Sequence, residues 1–125
     1  MMRNMRKKMQ TSCPPASLCP KFEAAMKLLS KRWVGFIISQ LLEGKTRFSE
    51  IEASIPISGR LLSERLKELE EEGIVCRTVY PEVPVRIEYT LTEKGRALQT
   101  VIESIEQWAQ TWVDVKNSEP RKSQM

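Results

Sequence analysis

The chain contains no histidine among its 125 residues. That removes the commonest general base and the commonest metal-ligating side chain. It has three cysteines, Cys13, Cys19 and Cys76. They are too few and too scattered for a structural zinc site, which draws its ligands from close pairs. An odd count also argues against a secreted disulfide scaffold. The longest apolar stretch, Trp33 to Ile38, is far too short to cross a membrane. No apolar segment follows the basic start MMRNMRKKMQ, so no signal peptide is expected. No glycine-rich phosphate loop is present in the sequence. Of the enzymatic chemistries, only a thiol reaction at Cys19 remains open. The expectation is therefore a non-enzyme without metal, cofactor or membrane partner, in a reducing cytoplasm.

What is present is an ordinary globular composition, 41% apolar and 29% charged, with a net charge of +4. The length suits one domain able to hold a core without cross-links. The basic balance is a mild pointer to a polyanionic partner. Residues 1–18 read as a flexible basic arm, residues 19–116 as the folded domain, and residues 117–125 as a disordered tail.

Hydrophobic spacing divides the folded part. A helix opens at Pro20, after Cys19, with Phe22, Ala25, Met26 and Leu29 in one stripe. A second, Arg32 to Leu42, is apolar on more than one face and is expected to be a buried central helix ended by Gly44. A short helix, Arg47 to Ile55, is expected to be capped by Thr46 and broken by Pro56. Ser58 then caps a helix running to Glu72 and closed by Gly73. Leu62, Leu66 and Leu69 form its inward stripe, and its outer face carries Arg60, Ser63, Glu64 and Lys67. Two helices joined by a tight turn, the second polar outside, fit a helix-turn-helix.

Two runs rich in β-branched and aromatic residues follow, Ile74–Tyr80 and Val85–Leu91, joined by Pro81-Glu82-Val83-Pro84. This hairpin sits where the wing of a winged helix belongs. Thr92 caps the last helix, whose seam of Leu98, Val101, Ile105, Trp108, Trp112 and Val115 alternates steps of three and four. The fold class is mainly α with a small β-hairpin, a winged helix-turn-helix.

The pattern resembles the HxlR-type bacterial transcriptional regulators, a branch of winged-helix proteins related to the MarR group. The resemblance rests on Cys19-Pro20, Lys31-Arg32-Trp33, the run from Gly44 to Ile51, Ile57-Ser58, the run from Leu66 to Gly73, and most strongly Val79 to Gly95. It implies a bacterial homodimer built through the first and last helices. Each subunit would place a recognition helix in the major groove and a wing on the backbone of operator DNA, mostly as a repressor. Two features depart from the family pattern: Ser30 and Lys31 stand where glycine is more usual, and Cys13 is an extra cysteine.

The candidate DNA contacts are Arg47, Ser49, Ser58, Gly59, Arg60, Ser63, Lys67, Arg77, Tyr80 and Arg86. Arg60 can fork onto guanine O6 and N7, hydroxyls can bond bases or phosphates, and Lys67 suits a phosphate. Arg77 and Arg86 are placed at the wing to clamp phosphate or enter the minor groove. The other reading of Arg86 is a surface pair with Glu82 or Glu88. The dimer interface is expected to draw on Phe22, Leu98, Val101, Ile105, Trp108 and Trp112. Cys19, at a helix N-terminus beside Lys21, is a candidate thiolate, the form that oxidants and electrophiles attack. In the resembling family some members sense such compounds through a cysteine at this position. The alternative for Cys19 is interface packing, and for Cys76 inert packing in a strand. A protein–protein module without DNA readout is the other functional class, supported by the glutamates at the end of the polar helix.

Overall fold

The computed structural model describes residues 19–115. They form two compact units, one reaching Ile37 and one starting at Ile38.

In the first unit α1 spans Pro20–Leu29. Proline at the first helical position supplies its fixed φ where its missing N–H is not needed. The Cys19 carbonyl accepts the Glu23 N–H at 2.9 Å. None of the ten residues of α1 is buried, and Phe22 and Met26 lie open along its stripe. The following helix, α2 (Val34–Leu42), starts later than the spacing predicts. Trp33 adopts φ +79, a left-handed conformation that cannot continue a right-handed helix and is uncommon for a bulky side chain. The chain turns through Lys31, whose carbonyl accepts the Val34 N–H. Val34 and Ile37 are buried, whereas Phe36 is 60% exposed. The expected all-round burial of α2 is thus corrected: it keeps one open aromatic position, where Phe36 meets the Trp33 ring at 5.6 Å.

The second unit is built around Ile38, Leu41, Ile51, Ile55, Ile57, Leu62, Leu66, Leu69, Ile74, Val75, Leu91 and Ile102, all buried. Gly44 takes φ +103 after α2, as a left-handed cap requires. The short helix α3 spans Phe48–Ser54. Its cap is not Thr46. Arg47 occupies the N-cap position, and the Glu50 carboxylate reaches back to accept both the Thr46 and Arg47 N–H groups at 3.0 Å. After Pro56, α4 covers Gly59–Glu71. The Ser58 hydroxyl accepts the Leu61 N–H at 3.1 Å, the capping expected of it.

The strands β1 (Val75–Tyr80) and β2 (Arg86–Leu91) pair antiparallel, with Val75 opposite Leu91 and Tyr80 opposite Arg86. β1 packs on α4 and β2 on α3. The Tyr89 N–H donates to the Thr46 carbonyl at 2.8 Å, tying the hairpin to the start of the helix-turn-helix.

After the hairpin the chain forms α5 (Glu93–Arg96) and α6 (Gln99–Trp112) in place of the single helix expected. Thr92 does cap the first turn, accepting the Gly95 N–H, while its hydroxyl donates to the Gly73 carbonyl. Lys94 Nζ donates to the Glu72 carbonyl, placing a cation on the C-terminus of α4. Gly95 is buried against the Ile74 carbonyl: a Cβ there would lie 2.3 Å from that oxygen. Leu98 is accordingly the N-cap of α6, and Val115 lies beyond its end, so the helical seam runs from Val101 to Trp112.

Candidate nucleic-acid interface

Helix α4 is amphipathic along its whole length. Leu62, Leu66 and Leu69 are buried. Arg60, Ser63, Glu64 and Lys67 project from the other side and are exposed. This follows from helical geometry, because positions three and four apart share a face. The Arg60 side chain is 92% exposed, and its Nε lies 3.7 Å from the Glu64 carboxylate. Such a surface pair contributes little and leaves the guanidinium available to another acceptor. Ser58 uses its oxygen to cap α4, which leaves its O–H able to donate. Gly59 faces inward: a Cβ would meet the end of the Glu52 side chain at 2.8 Å and the Phe48 ring at 3.9 Å. The one close atom is the end of a flexible side chain, which can move aside.

Arg47 and Ser49 are exposed at the start of α3. They line an open groove with Glu82, Val83, Pro84 and Arg86 of the hairpin. The bond between Tyr89 and Thr46 brings these two segments together.

The structure separates the two wing arginines. Arg86 is opposite Tyr80 at the tip end of the hairpin, whereas Arg77 is opposite Tyr89, farther from the tip. Alternation along the strands puts Tyr80, Arg86 and Glu88 on one face and Arg77 on the other. Arg86 is held tightly. Its Nη2 and Nε donate to the two oxygens of Glu82 at 2.9 and 3.3 Å. Its Nη1 donates to Glu88. The guanidinium carbon stands 3.9 Å from the centre of the Tyr80 ring. The bonds to Glu82 and then Glu88 hold the Arg86 guanidinium even more firmly protonated than usual. The bond from Arg86, with a smaller effect of Arg47, holds Glu82 below the usual carboxylate range. Of the two sequence readings of Arg86, the carboxylate pair is the arrangement observed.

Cys19 is half-buried at the N-cap of α1, and its side chain does not cap the helix. Cys76 is exposed on β1, with its sulfur 3.9 Å from the Thr78 hydroxyl, so the expectation of packing there is corrected. Cys13 lies outside the described residues. On α6, Ile105, Trp108 and Trp112 are 54%, 61% and 72% exposed, and the neighbouring Ile102 is the position that turns inward. Among the described residues no group of His, Cys, Asp or Glu could hold a metal ion, and no helix is long and apolar enough to cross a membrane.

A helix-turn-helix with an exposed polar second helix, followed at once by an antiparallel hairpin, defines a winged-helix protein. The profile of the HxlR-like helix-turn-helix family matches residues 28–117, and the chain belongs to that family of transcriptional regulators. It is 60% identical over 100 residues to the HTH-type transcriptional regulator YvaP of Bacillus subtilis, covering 79% of this chain and 93% of YvaP. It is 55% identical over 94 residues to the regulator YodB of the same organism, covering 74% of this chain and 84% of YodB. The solved reduced form of B. subtilis YodB superimposes with a TM-score of 0.70 at 54% identity, covering 77% of this chain and 95% of that one. The redox regulator HypR in its oxidized form gives 0.71 at 38% identity, covering 78% of this chain and all, 100%, of that one.

Proposed function

We propose that this regulator binds operator DNA as a homodimer and represses transcription, with the thiol of Cys19 as its input. The observation that carries the DNA-binding geometry is α4. Its apolar side is sealed in the core, while Arg60, Ser63 and Lys67 are exposed on the other. In this reading α4 enters the major groove, where Arg60 reads a guanine and Ser63 and Ser58 donate to bases or phosphates. Lys67 and Arg47 neutralise phosphates, with Ser49 and the backbone around Gly59 beside them. The wing, with Arg77, Tyr80 and Arg86, lies along the flanking backbone.

The dimer reading rests on the exposed apolar positions of α1 and α6, Phe22 among them, and on the absence of burial along α1. Monomeric surfaces seldom leave contiguous large apolar side chains open to water. The thiol reading rests on the position of Cys19 at a helix N-terminus, which favours thiolate. It also rests on the relatives: YodB has been solved in diamide-treated and quinone-bound forms, at 53% and 52% identity to this chain.

The test is a mobility shift with the chain's own upstream region. Neutralising about 6–10 phosphates predicts a log–log salt slope of roughly −5 to −9. Diamide or a quinone is expected to release the DNA from wild type and not from Cys19→Ser. Salt-insensitive association would remove the DNA-binding reading, and release from Cys19→Ser would remove Cys19 as the sensor.

A further inference from the structure

Four observations about the wing belong together. Every nitrogen of the Arg86 guanidinium donates to a carboxylate, two to Glu82 and one to Glu88. One face of the guanidinium is covered by Tyr80. The Arg86 side chain is only 28% exposed, whereas the Glu82 side chain is 52% exposed. The remaining tip residues Pro81, Val83, Pro84 and Val85 carry no charge, and Val83 is fully open. Glu88 is less exposed still, at 22%, two positions further along β2. A wing that lies on phosphate therefore presents the Glu82 carboxylate at its tip, with Glu88 behind it and one arginine bonded to both.

We propose that Arg86 is a charge-cancelling positioning residue of the wing, and that it does not itself contact DNA. It acts through Glu82 and Glu88. By pairing with both carboxylates it lowers the charge of the cluster from minus two to minus one, which eases the approach of the tip to the phosphate backbone. Its fork geometry fixes Glu82, from the tip loop, to β2, so the loop stands in one place. Arg47, exposed across the groove, is a cation placed to meet a phosphate beside the wing tip. This inference rests on the wing lying against DNA as proposed above.

Charge cancellation and phosphate contact make opposite predictions for the combined variant. In Arg86→Gln both carboxylates are left uncompensated near the duplex, and affinity should fall by about tenfold or more at low salt. In Arg86→Gln/Glu82→Gln/Glu88→Gln the repulsion is gone along with the arginine. Its affinity should return to within about threefold of wild type, with an unchanged salt slope. A phosphate contact instead predicts that the triple variant stays weak and that its slope is shallower by about 0.9, one released counterion. That result would overturn the proposal. If Arg86→Gln alone proves unstable by thermal melting, the affinity and slope of the triple variant decide the matter. Wild type is titrated in parallel. Failure of wild type to bind DNA would refute the DNA-binding reading, whereas a salt-sensitive wild type with an unrescued triple variant refutes only the role given to Arg86.

Discussion

At the scale of single residues, chemistry and space give separate demands. Gly95 is a demand of space. Its Cα hydrogen faces the Ile74 carbonyl, and Leu91 Cδ2 would lie 2.9 Å from an added Cβ. A backbone oxygen cannot swing aside as a side chain can. Gly95→Ala should destabilise the fold by about 2–3 kcal/mol, seen as a lowered midpoint in urea, as overpacking against fixed atoms does. Gly59→Ala is the contrast, since the atom it meets is the flexible end of Glu52, and it should leave the midpoint nearly unmoved. Glu50 is a demand of chemistry. The Arg47 N–H, followed by that of Thr46, holds its carboxyl below the usual range. A depressed folded value means the stabilisation is present above the unfolded carboxyl value and is lost as pH falls through the folded one. Wild type should thus be more stable than Glu50→Gln near neutral pH, and the difference should vanish in acid. Equal melting temperatures at neutral pH would show that the reach-back bonds contribute nothing. Arg60→Ala tests recognition at the same scale. It should cost about 1–3 kcal/mol of binding and relax preference at one base position, measured by competition between substituted duplexes.

At the scale of elements, caps and junctions decide where helices stop. Ser58→Ala removes the acceptor for the Leu61 N–H and should cost about 1 kcal/mol of stability without changing the protein's contacts to bases other than its own. The expected terminal helix divides into α5 and α6 because the chain turns at Ala97 and Leu98, where α5 ends and α6 takes Leu98 as its N-cap. The apolar seam survives this division over Val101 to Trp112 and is exposed at every position. If α6 pairs with a second copy, Trp108→Ala and Trp112→Ala should each weaken self-association by about thirtyfold, the effect of losing a roughly 2 kcal/mol anchor. Sedimentation over a concentration series measures it. Unchanged association would exclude this seam from the interface.

At the scale of the whole molecule, the order of elements was legible in the sequence. Helical spacing in Leu62, Leu66 and Leu69, and the turn residues Pro56 and Gly73, were enough to outline the helix-turn-helix and the hairpin. The wing arginines were not separable that way. Arg77 and Arg86 look alike along the chain, and only strand register puts them on opposite faces. The left-handed Trp33 was equally hidden, because its side chain gives no local reason for a positive φ. The cap of α3 was misplaced for a related cause: Thr46 is a good capping residue, but the helix starts one residue later, with Arg47 at the N-cap and the Glu50 carboxylate accepting the Thr46 and Arg47 N–H groups.

The sequence by itself determined the class of protein. Periodicity and turn chemistry are local properties, and a winged helix-turn-helix is specified by their succession. Tertiary structure decided which charges are available to DNA. Charge is written in the sequence, but its availability depends on which neighbours the fold supplies. Arg60 and Lys67 project from a helix whose other face is buried, so they stand open to a partner. Arg86 lies two positions from Glu88 on one strand face and directly opposite Tyr80, so the sheet delivers it to its own wing.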